Sequence, residues 1–156
     1  MSLPKKILSL LIFVLLAFGA SAWGGLVTSF YKEPWYSTLI KPTFNPPDWI
    51  FAPAWITLYL AMSIAIWLIW INPKKTEKII YIYFIHLLVN ASWSVVFFAL
   101  HQIFLALVVI VIILLLVLWL IKLYYPINKL SSFLMAPYLV WLVFAFVLNL
   151  NILLLN

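Results

Sequence analysis

The chain has 156 residues, of which 69% are hydrophobic and only 8% are charged, and its formal net charge is +6 at pH 7. An ordinary soluble domain is roughly 45–50% apolar and about 25% charged. A fold of this size has too little interior to hide so much apolar surface. The composition therefore excludes a soluble monomer and predicts a membrane protein in contact with the lipid bilayer.

The charged residues are nine lysines, two glutamates and one aspartate, and the chain has no cysteine. Without cysteine there is no disulfide, no thiolate metal site and no cysteine nucleophile. No two carboxylates lie together within an apolar stretch, so we expect no metal site and no hydrolytic dyad. The lysines form no continuous stripe, which indicates membrane topology rather than nucleic-acid binding.

Five apolar stretches are separated by charges and prolines. Each is long enough to cross ~30 Å of hydrocarbon as a helix that rises 1.5 Å per residue. We predict a single all-α domain over residues 1–156, an integral membrane bundle of five transmembrane helices. Their expected bounds are about 7–30, 48–71, 79–100, 103–125 and 131–155.

The first stretch has two interpretations. Lys5 and Lys6, followed by an apolar run and Ala20-Ser21-Ala22, resemble a secretory signal with a small-residue cleavage site. The apolar run continues to Phe30, however, and small residues spaced four apart favour a retained helix that packs closely on another helix. The small residues from Ala20 to Gly25 are also one place where a dimer contact is expected.

The lysines divide unequally between the two ends of the predicted bundle. Seven belong to the N-terminus and to the second and fourth loops, whereas only Lys32 and Lys41 belong to the first loop. Because cytoplasmic loops carry an excess of lysine, we expect a cytoplasmic N-terminus in a bacterial cell membrane. The first loop and the C-terminus then lie outside.

The first loop, residues 31–47, is the one connection long enough to fold over the bundle as a lid. Its prolines fix φ and remove donors, so the loop should be stiff. We expect Asn45 to cap the second helix. The lid residues that we single out are Trp35, Tyr36, Lys41, Pro42, Pro46 and Pro47.

The two histidines have ordinary and functional interpretations. His86 precedes Asn90 by one helical turn and so shares its face, where axial contact with a haem is conceivable. The favoured alternative is a histidine hydrogen-bonded between helices. His101 falls at the turn between the third and fourth helices and is expected to be an interfacial polar residue.

Three tryptophans lie deeper than the usual interfacial belt. Counting from the outer surface places Trp55 about 12 Å deep and Trp93 about 10 Å deep, with Asn90 one turn below Trp93. Trp141, Ala145 and Asn149 follow one another at intervals of four on the last helix. Indole faces and amide groups in an apolar cavity are suited to a flat aromatic ligand. The alternative is that the indoles only pack and the asparagines only join helices.

Three segments of the chain carry distinctive motifs. The first is WYSTLIKPTFNPPDWIFAPAWITLY, residues 35–59. The second is Asn90-Ala-Ser-Trp93 with Phe97-Phe98. The third is Pro137-Tyr138-Leu-Val-Trp141 with Phe144-Ala145 and Leu148-Asn149. Together they cover nearly the whole chain in order, and they resemble the TspO/MBR family of tryptophan-rich sensory proteins, translocator proteins and peripheral-type benzodiazepine receptors.

The resemblance implies a five-helix membrane protein, often a homodimer, that binds porphyrin and haem, sterols and isoquinoline carboxamides, and needs no cofactor. It implies a pocket under the first loop, in which Trp55 and Asn90 bond the ligand. Trp141 and Ala145 would form the wall from helix five, with Tyr59, Trp93 and Asn149 as further contacts.

Two functions are consistent with this resemblance. The first is a receptor or transporter for tetrapyrroles, without chemistry of its own. The alternative is an enzyme that degrades bound porphyrin oxidatively in light, with Trp55 and Trp141 as its catalytic residues. A third interpretation is a membrane scaffold in which the tryptophans only anchor helices.

The chain departs from the family pattern in the fourth helix and near the C-terminus. The acidic residue often found in helix four is replaced by Val109, and residues 146–156 lack the tyrosine and the basic residue of the family's cholesterol motif. Sterol recognition through that motif is therefore not expected. Such motifs are weak predictors of sterol binding even when they are intact.

Overall fold

The computed structural model describes residues 2–74 and 76–156, and these residues form helices and no strand. Five segments are long and apolar enough to cross a membrane. They confirm the predicted all-α bundle of five transmembrane helices. The long helices are α1 (Leu3–Tyr31), α3 (Phe51–Trp70), α4 (Glu77–Ser94), α5 (Ile103–Tyr124) and α7 (Ala136–Leu155), and the short ones are α2 (Trp35–Thr38) and α6 (Lys129–Leu134).

Prolines explain where two of the predicted boundaries shift. Pro4 occupies the opening turn of α1, where its missing N–H has no partner to lose, so the helix begins at Leu3 rather than near residue 7. Pro137 occupies the opening turn of α7 in the same way, so the fifth span is broken at Met135 into α6 and α7. The first loop also contains α2, and a 3₁₀ turn (Asp48–Ile50) precedes α3.

The third span ends in a π-helical segment, Val95–Ala99. The N–H of Leu100 donates to the carbonyl of Val95 at 2.9 Å, a wider turn than the α-helical one. Within this segment Phe97 and Phe98 are both buried. Single π turns are frequent at functional sites, and this one directs two adjacent rings into the bundle.

The helices form a ring in which chain neighbours are not always spatial neighbours. α1 packs between α3 and α4, which contact each other only slightly. α4 packs on α5, α5 on α7, and the ring closes mainly through the contact of α6 with α3. That closure lies at the end that holds the N-terminus. At the other end, where residues 31–47 lie, α3 and α7 are in contact at few points.

The outer surface of the bundle is apolar, as expected for a protein in lipid. Leu15 of α1 and Leu88 of α4 are 70% and 72% exposed, and many large apolar side chains are exposed beside them. Of the described lysines, only Lys32 and Lys41 lie at the end that carries the first loop, so the predicted charge asymmetry exists between the two ends. Which end faces the cytoplasm, and whether the membrane is bacterial, stay predictions.

α1 approaches α4 closely at Gly24. A Cβ atom built at this position would lie 3.2 Å from the Oγ of Ser94, closer than ordinary van der Waals contact. Gly19 and Gly25 have no such neighbour within 4 Å. Gly24 thus serves packing inside one chain, and a homodimer contact over Ala20–Gly25 stays a prediction.

We expect Gly24→Val to destabilise the bundle by about 1–3 kcal/mol, because a Cβ atom and two methyl groups must enter a contact that is already tight. Gly19→Val is the matched control on the same helix, where nothing lies within 4 Å. Thermal unfolding in detergent measures both variants. Equal midpoints for the two valine variants would contradict the close α1–α4 contact.

Candidate ligand-binding cavity

A cavity of about 560 Å³ lies between α1, α3, α4, α5 and α7 at the end that carries the first loop. α2 lies above it, and the 3₁₀ turn lies at its rim. Its inner wall is mostly aromatic and aliphatic. The residues that line this inner wall include Phe51, Trp55, Tyr59, Asn90, Trp93, Phe97, Phe98, Ile110, Ile113, Trp141, Phe144, Ala145 and Asn149.

Trp55 is at the centre of the aromatic wall. Its ring lies 6.1 Å from that of Trp141 at 77° and 6.4 Å from that of Tyr138 at 62°, both edge-to-face arrangements. Its own helix supplies Tyr59, at 5.5 Å. Edge-to-face pairs add to the stability that burial gives. Trp55 therefore joins α3 to α7 and faces the cavity with the same ring.

Two asparagines supply most of the polar character of the deeper wall. The amide nitrogen of Asn90 donates to the hydroxyl of Tyr59 at 2.7 Å, linking α4 to α3. The amide nitrogen of Asn149 donates to the carbonyl of Ile103 at 3.1 Å, and its oxygen accepts from the indole N–H of Trp93 at 3.4 Å. Both asparagines are thus interhelical links and also line the cavity.

The indole N–H groups of Trp55 and Trp141 are different from that of Trp93. Among the described residues, no acceptor bonds either of them. Neither atom is among the fully buried polar atoms that lack a partner. Two residues that line the cavity thus have indole N–H groups without an acceptor among the described residues, and an indole N–H can donate to a carbonyl or a carboxylate.

The roof of the cavity is built from α2 and the π segment. The ring of Tyr36 contacts those of Phe97 and Phe98 at 6.2 and 5.7 Å. Trp35 lies edge-on to Phe97 and stacks on His101 at 4.3 Å and 17°. His101 has a positive φ of 56°, which few residues other than glycine adopt. The stacked pair fixes α2 to the turn between α4 and α5.

The rest of the first loop is held down by polar contacts. The ammonium group of Lys41 lies 4.5 Å from the centre of the Tyr36 ring, a cation–π contact. The amide of Asn156, at the end of α7, pairs with the backbone of Ile40, accepting at 2.9 Å and donating at 3.0 Å. Pro42 closes a turn by accepting from the N–H of Asn45 at 3.0 Å.

The expectation that Asn45 caps the second helix is wrong. The residue before the 3₁₀ turn is Pro47, and no side chain caps that turn. The side-chain oxygen of Asn45 instead accepts from the hydroxyl of Tyr36 at 3.3 Å, and its nitrogen donates to the carbonyl of Pro46. Asn45 thus ties the loop to the roof.

Burial and the nearby carboxylates of Asp48 and Glu33 raise the pKa of Tyr36 above its ordinary value, although the bond to Asn45 opposes this. The unfolded phenol has the lower pKa, so the shift leaves stability unchanged below about pH 10. Tyr36 therefore stays a neutral donor at physiological pH.

His86 lies below the cavity and does not line it. Its Nε2 pairs with the hydroxyl of Tyr138 at 2.9 Å, and both residues are fully buried. This is the interhelical hydrogen bond that we favoured over a haem ligand. Because His86 is completely buried and is not among the residues that line the cavity, neither of its ring nitrogens is accessible to a ligand there.

The predicted site residues therefore fall into two groups. Those predicted to contact ligand all line the cavity, as does Tyr36 of the lid, whereas the other lid residues hold the loop in place without lining it. That any of them binds a ligand stays a prediction. The cavity-lining set is Trp55, Tyr59, Asn90, Trp93, Trp141, Ala145 and Asn149, and the other lid residues are Trp35, Lys41, Pro42, Pro46 and Pro47.

Sequence reasoning missed two kinds of cavity residue. Ile110 and Ile113 of α5 line the wall, but α5 is apolar on every side, so nothing in its sequence marks the inward face. Lys32 and Asp48 lie at the rim and form an ion pair at 2.5 Å. One feature of the sequence could have identified them: Lys32 follows the first span and Asp48 begins the second, so both lie at ends of neighbouring spans.

The comparisons with known proteins agree with this architecture. The sequence model of the TspO/MBR family matches residues 11–155. The chain belongs to the TspO/MBR family. It is 34% identical over its full length to the tryptophan-rich protein TspO of Archaeoglobus fulgidus, of which it covers 99%. The family resemblance predicted from the three motifs is confirmed.

Other relatives of this TspO/MBR protein have different names. The tryptophan-rich sensory protein of Cereibacter sphaeroides is 31% identical over 91% of this chain and 88% of its own. The human translocator protein is 34% identical over 74% of this chain and 70% of its own. This membership, with the five apolar helices, makes the protein an integral multi-pass membrane protein in a lipid bilayer.

We expect Asn156→Ala to loosen the first loop, because it removes both hydrogen bonds to the backbone of Ile40. Hydrogen exchange of residues 39–41 should become roughly 5- to 10-fold faster, as expected for the loss of about 1 kcal/mol of local protection. Asn151→Ala is the control, since Asn151 bonds only within α7. Unchanged exchange in Asn156→Ala would show that this contact does not hold the loop.

Proposed function

We propose that the cavity binds a tetrapyrrole, a porphyrin or haem, and that the protein acts as a membrane receptor or transporter without chemistry of its own. The observation that carries this proposal is the aromatic wall of Trp55 and Trp141, with two available indole N–H groups. A flat conjugated ring system is the kind of ligand that such a wall stacks against. Isoquinoline carboxamides are smaller ligands that also combine a flat aromatic ring system with a carbonyl group that accepts hydrogen bonds.

The size and the lining of the cavity support this proposal. Small-molecule sites commonly have volumes of about 300–1,000 Å³ and are mostly apolar with a few placed polar groups. A cavity of about 560 Å³ lies in that range. The amide of Asn90 and the two indole donors are the polar groups that would orient a ligand in this wall.

The relatives support the same class of function. One is named a translocator protein and another a tryptophan-rich sensory protein. The first name describes translocation and the second describes sensing, and both agree with a receptor-like role for this family of membrane proteins. We extend that role to this chain as part of the proposal.

We expect Trp55→Leu and Asn90→Leu each to weaken protoporphyrin binding about 5- to 30-fold, the equivalent of about 1–2 kcal/mol for a lost stacking or hydrogen-bonding contact. The affinity is measured by titrating the protein with protoporphyrin in the dark and recording the quenching of tryptophan fluorescence. Trp119→Leu is the control, because Trp119 is 44% exposed on α5 and does not line the cavity.

Unchanged affinity in both cavity variants would contradict the proposed site. Failure of porphyrins, sterols and isoquinoline carboxamides alike to raise the thermal midpoint of the native protein would favour the membrane-scaffold interpretation instead. Thermal unfolding of each variant separates loss of a contact from loss of the fold.

One observation favours the alternative function, light-dependent oxidative degradation of bound porphyrin. Trp55 and Trp141 lie 6.1 Å apart on the same cavity wall. Indole is readily oxidised among side chains, so either of two adjacent indoles can donate an electron to a photo-excited ring beside it. Oxidation of the ring itself takes dissolved dioxygen as the oxidant. In this alternative they are the catalytic residues.

If the alternative is right, Trp141→Phe should slow the loss of the porphyrin absorption band under illumination by roughly 10-fold or more, since phenylalanine keeps the packing but is hard to oxidise. Trp119→Phe serves as the control away from the cavity. Loss at the rate seen in protein-free detergent would argue against an enzyme.

A further inference from the structure

Charge is distributed unevenly around the cavity, and its one cationic side chain is Lys32. Among the described residues that line the cavity there is no other lysine. Lys32 follows the last turn of α1, where its N–H donates to the carbonyl of Thr28 at 2.9 Å. A helix C-terminus favours a cation, so the ammonium group is held at the rim.

The surroundings of Lys32 leave it able to bind another anion. Its Nζ lies 2.5 Å from the Oδ2 of Asp48 and 5.1 Å from the centre of the Tyr36 ring. The side chain of Lys32 is only 21% exposed, whereas that of Asp48 is 73% exposed. An ammonium group has three donors, and an exposed partner is held weakly. A carboxylate arriving from the cavity can therefore join Asp48 or replace it.

Other polar groups of α1 near the rim are less suited to an acid. The hydroxyls of Thr28 and Ser29 donate to carbonyls of their own helix, each at 2.8 Å. Glu33, also at the rim, accepts from the hydroxyl of Ser37 and would repel an anion. The deeper wall is mostly apolar, and an unpaired carboxylate is costly in such surroundings. The acidic part of a ligand thus belongs at Lys32.

We propose that Lys32 is a specificity residue that selects amphiphilic ligands carrying a carboxylate, with the apolar body against Trp55 and Trp141 and the acid at the rim. While the cavity holds no acid, the ammonium group of Lys32 is paired with the carboxylate of Asp48. This inference rests on the proposed tetrapyrrole site and adds the ligand class that the site prefers, acid over ester.

The test compares protoporphyrin with its dimethyl ester, which has the same ring system but no carboxylate. Both are titrated in the dark against the full chain in detergent. Lys32→Met should weaken diacid binding about 5- to 10-fold and leave ester binding unchanged, as expected for a partly exposed charge-assisted contact. Diacid binding to the native protein should also weaken with salt, whereas ester binding should not.

Lys41→Met is the matched control. It removes the same charge from the same end of the molecule, and Lys41 contacts the Tyr36 ring but does not line the cavity. Its ratio of acid to ester affinity should equal that of the native protein. Lys32→Arg keeps the positive charge and should therefore keep the preference for acid that Lys32→Met loses. A merely structural role for the methylene chain of Lys32 does not explain that result.

Removing the competing carboxylate gives a prediction of opposite sign. Asp48→Asn should strengthen diacid binding about 2- to 5-fold, because Lys32 loses its resident partner. Glu33→Gln removes one negative charge from the same rim but leaves that partner in place, so its effect on the acid-to-ester ratio should be smaller.

Each outcome distinguishes the inference from the proposed function. If neither the diacid nor the ester binds the native protein, the tetrapyrrole proposal fails. If both bind and Lys32→Met changes them equally, or no more than Lys41→Met does, only the role of Lys32 is overturned. Thermal midpoints of the variants near that of the native protein show that binding, not folding, is compared.

Discussion

The contacts of Trp55 determine the shape of the molecule at the cavity end. Its ring meets Tyr138 and Trp141 edge-on, and the ring of Phe51 also meets Trp141 edge-on, so aromatic rings set the separation of α3 and α7, whose backbones approach each other at few points. At the opposite end α6 packs directly on α3 and closes the ring of helices. A bundle that is closed at one end and spaced by large aromatic rings at the other necessarily encloses a cavity between them.

Hydrogen bonds in the interior then keep the walls of that cavity in register. Where no water reaches, an unpaired polar group is costly, so a hydrogen bond between two buried side chains adds to the stability of the bundle. Asn90 finds Tyr59, and His86 finds Tyr138, so each bond joins two different helices. The same groups that would be costly in lipid are those that fix neighbouring helices against each other. The cavity is therefore formed before any ligand enters it.

The five spans and the depths of the tryptophans could be predicted from the sequence, because length, hydropathy and helical rise are local properties. The family could be predicted because three motifs of the chain resemble it. The sequence did not predict which face of α5 turns inward, since lipid and protein interior both favour isoleucine at Ile110 and Ile113. The π turn at Val95–Ala99 and the role of Asn45 also depend on contacts between distant segments. Lys32 is ordinary in sequence and becomes distinctive only beside Asp48 and the cavity.

The position of α1 between α3 and α4 has a consequence for how the bundle assembles in the membrane. Helices joined by a connection as short as the one after Trp70 ordinarily pack on each other as a hairpin, yet α3 and α4 contact each other only slightly because both pack on α1. α1 is thus a wedge on which both α3 and α4 pack. A bundle without α1 would therefore lack the surface on which both α3 and α4 pack, and with it the close contact of Gly24 with Ser94.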